Sequence, residues 1–254
     1  MSGHSKWSTI KHAKAVTDSR RGKLFTKIAR EIIACVRQSG PSPDSNFRLR
    51  LAIQKARDNN MPMDRVDRAI DRGAGVGKES ETFDEMNYEG YGPGGIAILL
   101  QSLSDNKNRT VADIRSTFTK GGGNLAESGS VAWQFISRGL LLVSAENIDI
   151  DNDEISLLAI DAGAEDIEED AGVMNIYCLP ENLEMIRRNL VDAGVEIKSA
   201  ELIMFPSNTI DLDSKTAMSV LRLLDKLEEL DDVQKVFSNA NFSDDILNEY
   251  SNSN

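Results

Sequence analysis

From residue 20 onward, apolar positions recur at steps of three and four. Leu24, Phe25, Ile28, Ala29, Ile32, Ile33 and Val36 fall on one stripe, the pattern of a helix with a single buried face. Arg20, Lys23, Lys27, Arg30 and Arg37 follow the same step on the other side, so the helix carries a basic stripe opposite its core face. Gly40-Pro41-Ser42-Pro43 ends it. A second helix is predicted over residues 45–59, with Leu49, Ala52, Ile53 and Ala56 inward, and Asn60-Met61-Pro62 breaks it. A short third helix turns Val66, Ala69 and Ile70 inward and Arg65, Arg68 and Arg72 outward. Its outer charge is diluted by Asp64, Asp67 and Asp71, and it stops at Gly73. Three amphipathic helices with short connections make a small helical domain.

A Gly-rich link at 73–80 leads into a strand-like pattern. Residues 95–103 read as a buried strand, 110–120 as a helix and 130–136 as a second strand. Strand 140–144, helix 151–162, a hairpin of 166–169 and 173–177, helix 180–193 and strand 196–204 follow. That is the β-α-β-β-α-β order of a ferredoxin-like unit. Strand 209–212, helix 215–230 and strand 233–237 then supply the β-α-β that would complete the half-unit at 95–136. The expected fold class is α+β: an N-terminal three-helix domain followed by two ferredoxin-like α/β domains, the second inserted into the first. The domains are a flexible basic arm (1–19), a helical domain (20–80), an α/β domain (81–139 plus 206–240), the insertion (140–205) and a polar, frayed tail (241–254).

Composition sharpens this picture where charge is concerned. The 254 residues are 40% hydrophobic and 28% charged, with 29 Lys and Arg against 41 Asp and Glu, net −12, which excludes a wholly basic coating protein. The average hides a split. Residues 1–80 hold 17 basic and 8 acidic side chains, net +9, and residues 81–254 hold 12 and 33, net −21. Not one Lys or Arg occurs between Arg138 and Arg187. A basic head on an acidic body suggests a polyanion-binding end, the plainer alternative being a solvated charged face. Cys35 and Cys178 cannot form a disulfide framework and fit a reducing compartment. Apolar runs such as 96–100 are far short of the roughly 18 residues of a membrane span, and the first residues lack the apolar core of a signal peptide. A cytoplasmic protein with no membrane partner is expected.

Catalytic and metal chemistry find little support. Both histidines, His4 and His12, lie in the first 12 residues, so no Ser/His/Asp or Cys/His constellation can be built. The acidic 146–170 stretch lacks the Asp/Asn/Gly spacing of a calcium loop. The 73–80 link lacks the first glycine and the Ser/Thr of a phosphate loop. No enzyme activity, metal or cofactor is expected. Tyr88-Glu-Gly-Tyr-Gly-Pro-Gly-Gly95 reads as a tight turn, or as a partner-contacting loop on which Tyr88 and Tyr91 could stack. Asp105-Asn-Lys-Asn-Arg-Thr110 reads as a helix cap, with Lys107 and Arg109 able to assist a phosphate at the helix start. The N-terminal segment differs. Lys6, Trp7, Lys11, His12 and Lys14 set an aromatic among cations, and Arg20, Arg21, Lys23, Lys27 and Arg30 continue the charge. Cations release counterions from phosphates, and an indole stacks on an unpaired base for about 1–3 kcal/mol. These ten residues are the candidate nucleic-acid-binding set.

Several motifs together carry a resemblance. They are Gly3-His-Ser-Lys-Trp7, Arg21-Gly-Lys-Leu-Phe-Thr-Lys27, Tyr88-Glu-Gly-Tyr-Gly-Pro-Gly-Gly95, Asp105-Asn-Lys-Asn-Arg-Thr110 and Leu230-Asp-Asp-Val-Gln234. In this order the chain resembles the YebC/PmpR family, which includes the mitochondrial translational activator of cytochrome oxidase. Phe47 stands where that pattern leads one to expect Pro. The chain opens on the family motif without a transit-peptide pattern, from which a bacterial source is expected. The resemblance implies three domains, no catalytic residues, and one of two roles. One is a DNA-binding transcriptional regulator. The other is a ribosome-associated translation factor binding rRNA or tRNA through the basic arm. A protein-interaction scaffold, in which the arm is incidental, is the third possibility.

Overall fold

The protein is described by a computed structural model over residues 18–76, 82–144, 150–170 and 172–252. Most of the predicted arm, and the end of the Gly-rich link, lie outside the described residues. The basic-striped helix is α1 (Asp18–Ser39), and Phe25, Ile28, Ile32, Ile33 and Val36 of its apolar stripe are buried. It packs against α2 (Phe47–Asp58) and α3 (Met63–Gly73). One buried side chain joins the first two helices. The Asn46 carboxamide oxygen accepts the Leu49 N–H at 3.0 Å, and its amide donates to the carbonyls of Cys35 and Gly40, both at 2.8 Å. With Asn46 as cap, α2 begins on Phe47 without needing a proline. α3 approaches α1 through Gly73, where a Cβ would lie 2.7 Å from that of Val36.

Strands β1 (Asp84–Tyr91) and β2 (Ala97–Ser104) form an antiparallel hairpin. α4 (Lys107–Lys120) follows, capped by Asn106, and then the two-residue β3 (Asn124–Leu125). The chain next builds β4 (Phe135–Ser144), α5 (Asn152–Asp161), β5 (Ala164–Asp170), β6 (Val173–Cys178), α6 (Leu183–Asp192) and β7 (Ile197–Pro206). Their sheet order is β5-β6-β4-β7, with β6 antiparallel to both β4 and β5, the arrangement of a ferredoxin-like fold. Residues 135–205 form one compact unit, and the remainder of the chain a second. The second unit is completed by β8 (Ile210–Asp211), α7 (Ser214–Glu228), β9 (Val233–Ser238), β10 (Ala240–Asn241) and α8 (Asp244–Asn252). Its main sheet runs β3-β1-β2-β9, and β8 pairs with β10 in a separate parallel ribbon.

The chain is thus an N-terminal helical region followed by two sheet-containing domains. The structure departs from the expected pattern at β1, whose Tyr88–Tyr91 read as a turn, at residues 130–136 and in the tail. Residues 130–136 do not form a sheet strand in the outer domain. The Glu89 carboxylate accepts the backbone N–H groups of Gly129, Val131 and Ala132 at 2.7, 2.6 and 2.8 Å, diverting them from strand pairing. The place beside β2 is taken by β1, so the outer domain is not a second β-α-β-β-α-β unit. The tail is also ordered rather than frayed. α8 buries Ile246, Leu247 and Tyr250 in the core made by Ile98, Phe118 and Leu224, and the Tyr250 hydroxyl donates to Asp225 at 2.6 Å.

Candidate nucleic-acid interface

The candidate cations separate into different environments. Lys6, Trp7, Lys11, His12 and Lys14 lie outside the described residues, and Arg20 is placed by its backbone as part of α1. Arg21 and Lys23 are exposed. Lys27 and Arg30, one and two turns further, face the loop between α7 and β9. The Lys27 ammonium donates to the Glu228 carbonyl, and Arg30 Nη1 donates to the Asp231 carbonyl at 2.7 Å and to Asp232 Oδ1 at 2.9 Å. Lys23 reaches the same loop loosely, 3.4 Å from the Glu229 carbonyl and 3.9 Å from Asp231. The expected single solvent-facing stripe is therefore two features: an exposed N-terminal part, and a part that staples the helical domain to the α/β domain.

Asp232 is the centre of the staple. Its carboxylate accepts from the Thr110 hydroxyl at 2.7 Å, the Ser104 hydroxyl at 3.0 Å and Arg109 Nη2 at 3.0 Å, besides Arg30. Burial works to raise its pKa, but the hydrogen bonds from Thr110, Arg109 and Ser104 and the Arg30 charge outweigh it, leaving the carboxyl below its ordinary value. Arg109 also pairs with Asp105 at 2.6 Å. Lys23, Arg30 and Arg109 line a groove of about 530 Å³ together with Asp105, Asp113 and Asp231, a mixture of signs ill suited to a phosphate. Lys107 pairs with Asp84 at 3.1 Å at the exposed surface, a contact of little worth in water.

The two candidate tyrosines are held within the fold. Tyr88 packs against the core with its hydroxyl 3.4 Å from the Met86 sulfur, and Tyr91 donates to the Ser130 carbonyl at 3.0 Å. Among the described residues the presented aromatic ring is instead Trp133, 73% exposed, whose indole N–H donates to the same Ser130 carbonyl at 3.1 Å. It stands on the loop that Glu89 organises, and the strand reading of 130–136 concealed it. The helical domain presents further outward cations. Arg37 and Arg57 are exposed with no acidic partner among the described residues, and Arg65 lies over the Phe25 ring at 5.7 Å. On α3, Asp64, Asp67 and Asp71 are as exposed as Arg65, Arg68 and Arg72.

Among the described residues, no group of His, Cys, Asp and Glu is placed to hold a metal ion, and no helix is long and apolar enough to cross a membrane. Burial pushes the Cys35 thiol up to about 12 and the Cys178 thiol up to about 11, so neither is a ready nucleophile.

Comparison with known proteins agrees along the whole chain. A probable transcriptional regulatory protein of Dehalococcoides mccartyi strain CBDB1 is 56% identical over 250 residues, covering 98% of each chain. One from Chloroflexus aurantiacus is 51% identical over 248 residues, covering 97% of this chain and 98% of that one. The crystal structure of a conserved hypothetical protein from Aquifex aeolicus superposes with a TM-score of 0.85 at 44% identity, over 94% of this chain and 98% of that one. Residues 5–76 match the TACO1/YebC protein N-terminal domain and residues 83–240 the TACO1/YebC second and third domain; the chain belongs to the TACO1/YebC family.

Proposed function

We propose that this chain is a non-enzymatic regulator of gene expression that binds nucleic acid through its N-terminal basic segment and the exposed cations beside it. The observation that carries this reading is the charge split. Net +9 is gathered in residues 1–80, and Arg37 and Arg57 project from that region without acidic partners among the described residues. Phosphate contacts by such cations give affinity without base specificity. The names of the relatives, probable transcriptional regulatory proteins, favour DNA as the physiological target.

One feature of α3 favours the alternative, a translation factor working on ribosomal or transfer RNA. A recognition helix lies in a major groove with its outer face on base edges and a phosphate backbone on either side. On α3 that face carries Asp64, Asp67 and Asp71, which would be repelled there. A basic segment with one tryptophan is better matched to unpaired RNA. Sedimentation of cell lysate through a sucrose gradient at physiological salt distinguishes the two. The informative comparison is the full chain against a version lacking residues 1–17, which stops short of α1 and leaves Phe25 and Ile28 in the core. Full chain travelling with ribosomes while the truncated chain stays at the top supports the RNA reading. Full chain at the top, with fragments of genomic DNA protected in a footprint, supports transcription. The absence of both associations refutes the proposal.

A further inference from the structure

We propose that the outer face of α5, in the inserted unit, docks a basic amphipathic segment of another protein. The inference does not depend on the nucleic-acid reading. Residues 135–205 contain 4 basic and 16 acidic side chains, net −12, equal to the net charge of the entire chain. Three of the four cations are already engaged: Arg138 with Glu165, and Arg187 and Arg188 with Glu184.

Against this background α5 is apolar on both sides. Ile155 and Ala159 are fully buried toward the sheet, as a one-sided packing requires. Leu157 and Ile160 nevertheless stand 63% and 56% exposed. At about 100° per residue they lie on the side away from Ile155, with Asp153 between them and Glu154 and Asp161 beside them. A helix that packs on one face ordinarily carries polar residues on the other. The outer faces of α1 and α7 do so, with Arg21 and Lys23 on one and Arg222 and Lys226 on the other. Asp153, Glu154 and Asp161 have no cationic partner among the described residues. The face therefore offers two aliphatic anchors with uncompensated carboxylates between and beside them.

Charge selects the occupant. A second copy of the unit would bring another −12 against the first, and nucleic acid and anionic lipid are repelled likewise. A segment with Leu- or Ile-like side chains on one face and Lys or Arg on its flanks satisfies both components, the helix-in-groove mode of recognition.

The test uses the full chain and, as probe, an 18-residue helical peptide of Leu and Lys with one apolar face. A shuffled peptide of the same composition serves as control, and both are followed by fluorescence anisotropy. The proposal expects the double substitution L157S/I160S, with an unchanged circular dichroism spectrum, to weaken binding at least tenfold. The shuffled peptide should bind at least tenfold more weakly, and V76S, at an exposed apolar position elsewhere, should bind as the parent does. Equal binding by L157S/I160S, or equal binding of the shuffled peptide, would overturn it. So would a concentration-dependent dimer that L157S/I160S abolishes, which gives the face to a second copy. Tighter peptide binding on removal of residues 1–17 would also overturn it, because the chain's own basic segment would then be the occupant.

Discussion

Replacing Asp232 by alanine probes the staple between the helical and α/β domains. The Asp232 and Arg30 side chains are 9% and 19% exposed, so their 2.9 Å pair sits largely out of water. Breaking such a pair from one side costs about 3–5 kcal/mol, because the remaining charge is left without its partner. Arg109 is 46% exposed and can turn to solvent and to Asp105, so its share is small. The Thr110 hydroxyl keeps an acceptor in the Asn106 carbonyl at 3.0 Å. A loss of about 3 kcal/mol is therefore expected for D232A, a large part of a typical domain's 5–15 kcal/mol. Urea unfolding followed by circular dichroism measures it. D232N, which keeps the shape and one acceptor oxygen, should lose about half as much, and a double-mutant cycle with R30M should give a coupling above about 1 kcal/mol. Since the Asp232 carboxyl is held below its ordinary value, its contribution is complete above the unfolded-state pKa of about 3.9 and disappears as pH falls through the folded-state value. The gap between parent and D232A should thus close below about pH 4. A loss under about 1 kcal/mol at pH 7 would refute the staple.

E89Q replaces one of the two oxygens that accept three backbone N–H groups by an NH2 donor. It should cost about 2 kcal/mol and shift the emission of Trp133, whose loop Glu89 organises; an unchanged melting temperature contradicts this. Burial raises the Glu89 pKa but the backbone N–H groups lower it more, so this contribution is also lost as pH falls below about 4.5. Ending the chain after Ser243 removes Ile246, Leu247 and Tyr250 from the core, roughly 1.5–3 kcal/mol each, and should lower Tm by about 10 °C or more. A Tm within about 2 °C of the parent would mean α8 is only laid on the surface. With thiols pushed to about 12 and about 11, Cys35 and Cys178 should not react with a disulfide reagent at pH 8 until the protein is unfolded.

What was readable in the sequence follows from where each element takes its energy. α1 to α3, α7 and β2 are driven by burying their own apolar side chains, and the pattern shows it. β1 is different: Asp84-Glu-Met-Asn-Tyr-Glu-Gly-Tyr91 is mostly polar, and it is held by pairing with β2 along its whole length, which no local pattern reports. Gly90 within it lies where a Cβ would meet the Phe118 ring at 2.6 Å, so a residue that looked like turn punctuation is a close approach to the core. Residues 130–136 carry a strand-like apolar run, yet a buried carboxylate some forty residues earlier decides their conformation. The tail looked too polar to fold, but three apolar residues at helical spacing suffice when a core is there to receive them. Among the candidate cations, the helical period located the stripe. It could not tell that Arg30 meets Asp232, 202 residues away in the chain.

The most direct test of the central claim is the salt dependence of binding to a fluorescent single-stranded RNA and to a duplex DNA of equal length. The full chain is compared with one lacking residues 1–17, a segment that contains Lys6, Lys11 and Lys14. If the N-terminal region carries the binding, log affinity should fall with log salt at a slope of about −3 or steeper for single strands. Removing three lysines should flatten that slope by about 2 and weaken binding at least tenfold at 100 mM salt. A flat response in the full chain, or an affinity unchanged by the deletion, would contradict a nucleic-acid-binding role for this end of the molecule.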